Sequence, residues 1–310
     1  MLIARVADGR LTTLTKELAT VRLGHNVTTK RMLAPEAIAR ALPVLQQFKI
    51  ILEQWQPQYI RACGTAALRT AGNSDEFLLL ARKTLGAEIE IISGREEALL
   101  NLAGTTVYME KMEPGSILLV DVGGGSTELA YIAAVAGTGP NAEDKRPVVT
   151  SLPLGCVSLT EGFLHQPVTT AAETALLTEQ IKEHLAAALE KISSSMRQAR
   201  PMIIGTGGTA TSMAALDLDL ESYDEQKVQG YMLTGSRLAG LWQRLVTFTG
   251  AERNLLPGLQ DGRGEILLAG IRIYQVLLEL LNVHQLTISD AGLLEGILLS
   301  CLKSWDHRRS

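Results

Sequence analysis

Residues 117–128 read Ile117-Leu118-Leu119-Val120-Asp121-Val122-Gly123-Gly124-Gly125-Ser126-Thr127-Glu128, and their reading decides the fold class. Ile117 to Asp121 is a strand with apolar residues on both faces, as the interior of a sheet requires. Gly123 to Thr127 is a tight loop, and Glu128 to Ile132 is a second strand. Three consecutive glycines cost chain entropy and need a reason. One reason is a loop whose backbone N–H groups face an anion that side chains would block. Ser126 and Thr127 add hydroxyl donors, and Asp121 and Glu128 bracket the loop with two carboxylates. Such hard oxygen ligands suit Mg²⁺, which usually keeps several waters. The plainer alternative is a hairpin loop with glycine for geometry and solvated acids. No GxxxxGK[ST] occurs, and the loop leads to a strand rather than a helix, so neither a P-loop nor a dinucleotide fingerprint fits.

The same pattern returns downstream. Met202-Ile203-Ile204-Gly205 is a strand running into Thr206-Gly207-Gly208-Thr209, and a helix follows to Leu216. Helix N-termini attract phosphate through free N–H groups and the dipole. Two such loops in corresponding places suggest two clamps on one polyanion, with Gly207, Gly208 and Thr209 in the second. Strands and helices alternate elsewhere, which indicates an α/β class. Leu2 to Val6, an Asp8-Gly9 turn and Leu11 to Thr15 form a hairpin. A helix starts near Pro35 and runs to about Gln54, with Pro43 marking a kink or the true start. Tyr59 to Cys63 is a further strand, Pro114-Gly115 a turn, and Gly137 to Lys145 a polar loop.

Ser93-Gly94-Arg95-Glu96-Glu97 opens another helix. Ser93 and Glu96 fit a capping box, which accounts for Glu96. Glu97 projects about 100° further round the helix, free to act as general base on water. A first-turn acid favoured by the helix dipole is an equal reading. In Gly64-Thr65-Ala66-Ala67-Leu68-Arg69, Arg69 lies one turn after Thr65, and arginine suits bidentate phosphate contact. Cys156 reads as a small buried residue.

The chain has 310 residues, 46% hydrophobic and 20% charged, enough apolar material for real cores. Its formal charge of −4 and 4% aromatic content exclude a general nucleic-acid binder. Three scattered cysteines exclude a disulfide scaffold or structural zinc site. No stretch reaches the ~18 apolar residues of a membrane span and the start has no signal-peptide shape, so a soluble cytoplasmic protein is expected. The apolar helix around 266–281 fits a core or a homodimer contact.

Taken in order, these motifs resemble the exopolyphosphatase / guanosine pentaphosphate phosphohydrolase family of the actin-like superfamily. The matching residues are Gly64–Arg69, Ile91–Ala98, Asp121–Leu129, Leu154–Ser158, Gly205–Thr209 and Ile288-Ser289-Asp290-Ala291-Gly292-Leu293-Leu294-Glu295-Gly296. The resemblance implies two ribonuclease-H-like domains, 1–113 and 114–310, flanking a cleft, with the last helix packing back on the first domain. It implies Mg²⁺-dependent hydrolysis of a terminal phosphoanhydride in polyphosphate or pppGpp. The catalytic glutamate falls on Glu97 and the metal-associated acids on Asp121 and Glu128. Backbone groups of Gly123, Gly124, Gly125, Ser126, Gly207, Gly208 and Thr209, with Thr127, Thr65 and Arg69, then hold phosphates. Two other classes stay open: a non-catalytic sensor of polyphosphate or (p)ppGpp, and an ATP-using kinase of the same superfamily. Two departures stand out. The family begins with a strand and a D-x-G-[ST]-N loop, whereas Met1 to Val6 matches the strand after it, so the biological start is expected upstream. Leu294 stands where the family often has arginine.

Overall fold

The chain divides into two units, Met1–Gly104 with Leu293–Ser310, and Thr105–Gly292. The computed structural model describes residues 1–7, 10–106, 115–133, 147–196, 200–260 and 262–306. Asp8-Gly9, Pro114, the loop from Gly137 to Lys145 and the expected boundary at 113 lie outside the described residues.

In the first unit, β1 (Leu2–Ala7) and β2 (Arg10–Lys16) pair antiparallel, with a register shift between Ile3 and Ala4. Next come α1 (Val27–Lys30) and α2 (Pro35–Trp55). Proline at the first helical turn lacks only an N–H that would be unpaired anyway, and α2 starts there and runs on through Pro43. β3 (Ala62–Gly64), α3 (Ala66–Thr70), α4 (Ser74–Leu85), β4 (Ile89–Ile91) and α5 (Gly94–Thr106) complete this stretch. The strand expected at Tyr59 begins only at Ala62, and β3 pairs parallel with β4. Val27, Leu33, Ala41, Leu68, Ala71, Phe77 and Ala81 form the core under them.

In the second unit, β5 (Ile117–Val122), β6 (Thr127–Ile132) and β7 (Val148–Leu152) form an antiparallel meander. α6 (Cys156–Phe163) and α7 (Ala171–Met196) lead to β8 (Met202–Thr206). α8 (Gly207–Asp217), α9 (Glu225–Val228), β9 (Met232–Thr234), α10 (Gly235–Leu245), α11 (Gly250–Asn254), α12 (Arg263–Leu281) and β10 (Gln285–Ser289) follow. The sheet order is β7-β6-β5-β8-β10-β9, with β5, β8 and β10 parallel. A meander continued by parallel strands across helical crossovers is the ribonuclease-H-like arrangement. It places Asp121, Thr206 and Ser289 at neighbouring C-terminal strand ends, where open α/β sheets bind ligands. Leu267, Leu268, Ile271, Ile273 and Tyr274 of α12 are buried, so the apolar stretch around 266–281 is core of this unit.

The last helix, α13 (Leu293–Asp306), belongs to the first unit. Its entry explains the last motif. A side chain at Gly296 would overlap the Leu100 carbonyl, and Glu295 pairs with Lys16 at 3.2 Å. β1 and β3 each have one ladder partner among the described residues. An apolar cavity of about 290 Å³ runs along both, and Leu294 faces it with Ile297 and Cys301. No described helix is long and apolar enough to cross a membrane.

Candidate functional site

The glycine loop is built from its carbonyls inward. Cys156 donates its N–H to the Gly123 carbonyl (2.9 Å), and Val157 and Ser158 donate to that of Gly124 (2.9 and 3.2 Å). The start of α6 thereby ties down the loop's oxygen side. Because peptide units are planar and trans, the N–H groups of the same loop turn away from α6. Gly124 and Gly125 donate to no described residue. Gly123 differs: its N–H closes the turn onto the Ser126 carbonyl at 2.9 Å. Ser126 is 7% exposed. Gly155 explains the Leu154–Ser158 motif, since a methyl there would overlap the Gly124 carbonyl.

Asp121 and Glu128 are direct partners across β5 and β6, so their side chains share a face of the sheet. Glu128 is buried and accepts from the Ser151 hydroxyl at 2.7 Å. Gly207 has φ +78°, and a methyl there would overlap the Asp121 carboxylate. The two glycine loops therefore meet at Asp121. Two threonine hydroxyls beside the loops are already engaged within the fold. Thr127 donates to the Leu154 carbonyl (2.5 Å) and Thr209 to that of Val122 (3.1 Å). Among the described residues no group of three His, Cys, Asp or Glu side chains converges on a metal position. Two carboxylates on one sheet face still suit a cation whose other ligands are waters and phosphate oxygens, which is the habit of Mg²⁺.

The first unit holds the acid. Glu97, in the first turn of α5, is 6% exposed. Arg69 Nη1 donates to Glu97 Oε2 at 2.7 Å and to the Ile92 carbonyl at 2.9 Å. Burial raises the Glu97 carboxyl above the ordinary carboxylate range, and the Arg69 hydrogen bond and charge pull against that. Thr65 sits at the N-cap of α3, where its carbonyl receives the Arg69 N–H at 3.0 Å. Only half of the expected capping box forms. Ser93 caps the Glu96 N–H at 3.1 Å, while the Glu96 carboxylate pairs with Arg61 at 2.7 Å.

Sequence reasoning missed Arg263. Its guanidinium lies against Gly208, where a methyl would overlap it, and its Nε is buried with no partner. A buried donor without an acceptor is costly, and an anion at the second glycine loop would supply one. Nothing local in Gly262-Arg263-Gly264 signals this, because 55 residues separate Gly208 from Arg263 in the chain.

Comparisons with known proteins fit this geometry. A model of the "Ppx/GppA phosphatase family" matches residues 2–305. Exopolyphosphatase 2 of Mycobacterium tuberculosis is 30% identical over 306 residues, covering 96% of this chain and 92% of that protein. A guanosine-5'-triphosphate,3'-diphosphate pyrophosphatase of Vibrio vulnificus is 31% identical over 311 residues, 99% of this chain and 58% of that protein. The crystal structure of the Aquifex aeolicus Ppx/GppA family member superposes with a TM-score of 0.76 at 29% identity, over 99% of this chain and 94% of that one.

Proposed function

The chain belongs to the Ppx/GppA phosphatase family, and from that premise we propose that it hydrolyses the terminal phosphoanhydride of inorganic polyphosphate or of pppGpp. Glu97 is the general base: its carboxylate orients the attacking water and takes its proton. Arg69 holds that carboxylate through Oε2, and its hydrogen bond and charge favour the ionised form against the effect of burial. The free N–H groups of Gly124 and Gly125, the Gly207–Gly208 turn and Arg263 receive phosphate oxygens. Asp121 and Glu128 would hold Mg²⁺, which when bound neutralises charge on the transferred phosphoryl group. Phosphoryl transfer asks mostly for positioning and charge stabilisation, and these residues supply both. The observation that carries the reading is Glu97 itself, a buried carboxyl with a raised pKa held in place by an arginine. Perturbed carboxyls of that kind mark acid–base sites.

The direct test is phosphate release from polyphosphate and from pppGpp by one preparation, with Mg²⁺ and with EDTA. Release with Mg²⁺ alone is expected, and no release from either substrate overturns the assignment. A pH profile tests the pair of residues. Log kcat/KM falls on the acid side as Glu97 takes up a proton. Arg69→Met removes the group that lowers this pKa, so the acid limb is expected to move to higher pH. A limb that stays put assigns it to another group.

A further inference from the structure

Between Glu17 and Glu36 the sequence carries no acid, yet it holds Arg22, His25, Lys30 and Arg31. Lys30 and Arg31 are exposed, and neither side chain has an ion-pair partner among the described residues. Cations on a loose loop would be an ordinary solvated surface, but this loop is fixed. Val27 and Leu33 are buried in the core of the first unit on either side of the pair. Gly72 donates its N–H to the Arg31 carbonyl at 2.7 Å, and Asn73 bonds both backbone groups of Leu33 (2.7 and 3.1 Å). Arg22, Asn26 and Arg31 have φ of 50°, 59° and 53°, left-handed conformations uncommon outside glycine. Such strain persists only where the surroundings over-determine it, and it gathers at ligand clamps. The ground that fixes the loop is α3, the helix that carries Arg69. α1 packs on α3, and Gly24 approaches Ala67 so closely that a methyl at Gly24 would lie 3.3 Å from the Ala67 Cβ. Gly72, which anchors Arg31, comes three residues after Arg69.

We propose that Lys30 and Arg31 form a subsite for the unreacted remainder of an inorganic polyphosphate chain. This rests on the hydrolase reading and sharpens it to long polyphosphate over pppGpp. Arg69 serves the reacting end, and the basic loop held on the same helix meets phosphates further along. Polyphosphate carries a charge at every repeat, so it reaches such a ledge at any offset. A pppGpp molecule offers a guanosine and a 3'-diphosphate instead. Ammonium and guanidinium groups free of carboxylates are available to phosphate oxygens and release counterions when bound.

The test compares the wild type with the double variant Lys30→Gln/Arg31→Gln, using long-chain polyphosphate and tripolyphosphate as substrates. Lys182→Gln/Lys191→Gln on α7 serves as a control for net charge. KM for the long chain is expected to rise about tenfold in the loop variant, while KM for tripolyphosphate changes less than twofold. The slope of log KM against log salt for the long chain should become shallower by about 1.4, the loss of two phosphate contacts. An unchanged long-chain KM and slope, an equal rise for both substrates, or the same rise in the control pair overturns the proposal. If the wild type releases no phosphate, the hydrolase reading fails by itself. Equilibrium binding of labelled long-chain polyphosphate then reads the subsite directly, and equal affinity of wild type and loop variant refutes it.

Discussion

Replacing Glu97 with glutamine is expected to lower kcat for phosphate release by about 10²–10⁴ while Tm stays within about 2 °C of the wild type. Glutamine keeps the shape and leaves an acceptor for Arg69 Nη1, so the local hydrogen bond at 2.7 Å survives. It lacks the lone-pair basicity that takes a proton from water. The stability half of the prediction has a definite sign. Burial raises the Glu97 carboxyl above its value in the unfolded chain. Its contribution to stability is therefore full below the unfolded value and is lost as pH rises through the folded one. Above the folded value the ionised side chain is held at a net cost, which the neutral amide removes. The Tm of the variant relative to the wild type should accordingly decline as pH is lowered toward the carboxylate range. Wild-type turnover in Glu97→Gln would take Glu97 out of the reaction, and a collapse of Tm would make it a structural residue.

Glu97 also shows how far sequence alone could reach. Its projection away from the Ser93 cap was legible from helical geometry, but its burial was not. Burial depends on packing by residues far away in the chain, and so does the Arg69 contact across 28 positions. The α/β class and the two glycine loops were legible because short strands ending in Gly-rich turns leave a local signature. The division of the chain was less so. The contacts change partners after Gly104, which no composition shift marks, and return Leu293–Ser310 to the first unit, which only the family resemblance implied. The phosphate role of Thr127 was inferred from residue type, since a hydroxyl beside an anion loop reads as a donor, whereas Thr209 entered through its backbone group. In the fold the hydroxyls of Thr127 and Thr209 each satisfy a buried backbone carbonyl, an obligation invisible until the strands are paired. Arg263 was missed for the same reason in reverse: its orphaned Nε exists only once α12 is laid beside Gly208.

Two glycines, one capping a short helix and one in its last turn, should respond in opposite directions to the same added methyl. Gly155 precedes α6 with an ordinary extended backbone, φ −119°, so conformational freedom does not explain it. Space does: a methyl there would overlap the Gly124 carbonyl and crowd the Gly125 nitrogen. Both belong to one peptide unit, whose carbonyl oxygen accepts from the Val157 and Ser158 N–H groups, and neither can step aside without moving the loop. Gly155→Ala is expected to cost about 1–3 kcal/mol as an overpacking defect and to reduce kcat/KM by about 10²-fold, because displacing an anion loop by ~1 Å misaligns everything it holds. At Gly162, near the end of the same helix, an added methyl would meet nothing within 4 Å. There alanine lowers the entropy of the unfolded chain and raises helix propensity, so Gly162→Ala should gain about 0.5–1 kcal/mol and leave kinetics alone. Thermal unfolding and phosphate-release kinetics on the pair separate the two effects. If Gly155→Ala keeps wild-type kcat/KM, the glycine loop does not need its seat on α6, and the anion cradle must be sought elsewhere. If instead Gly155→Ala loses activity at unchanged Tm, the strain has been absorbed by the loop alone, which is the more direct sign that the loop's geometry serves the reaction.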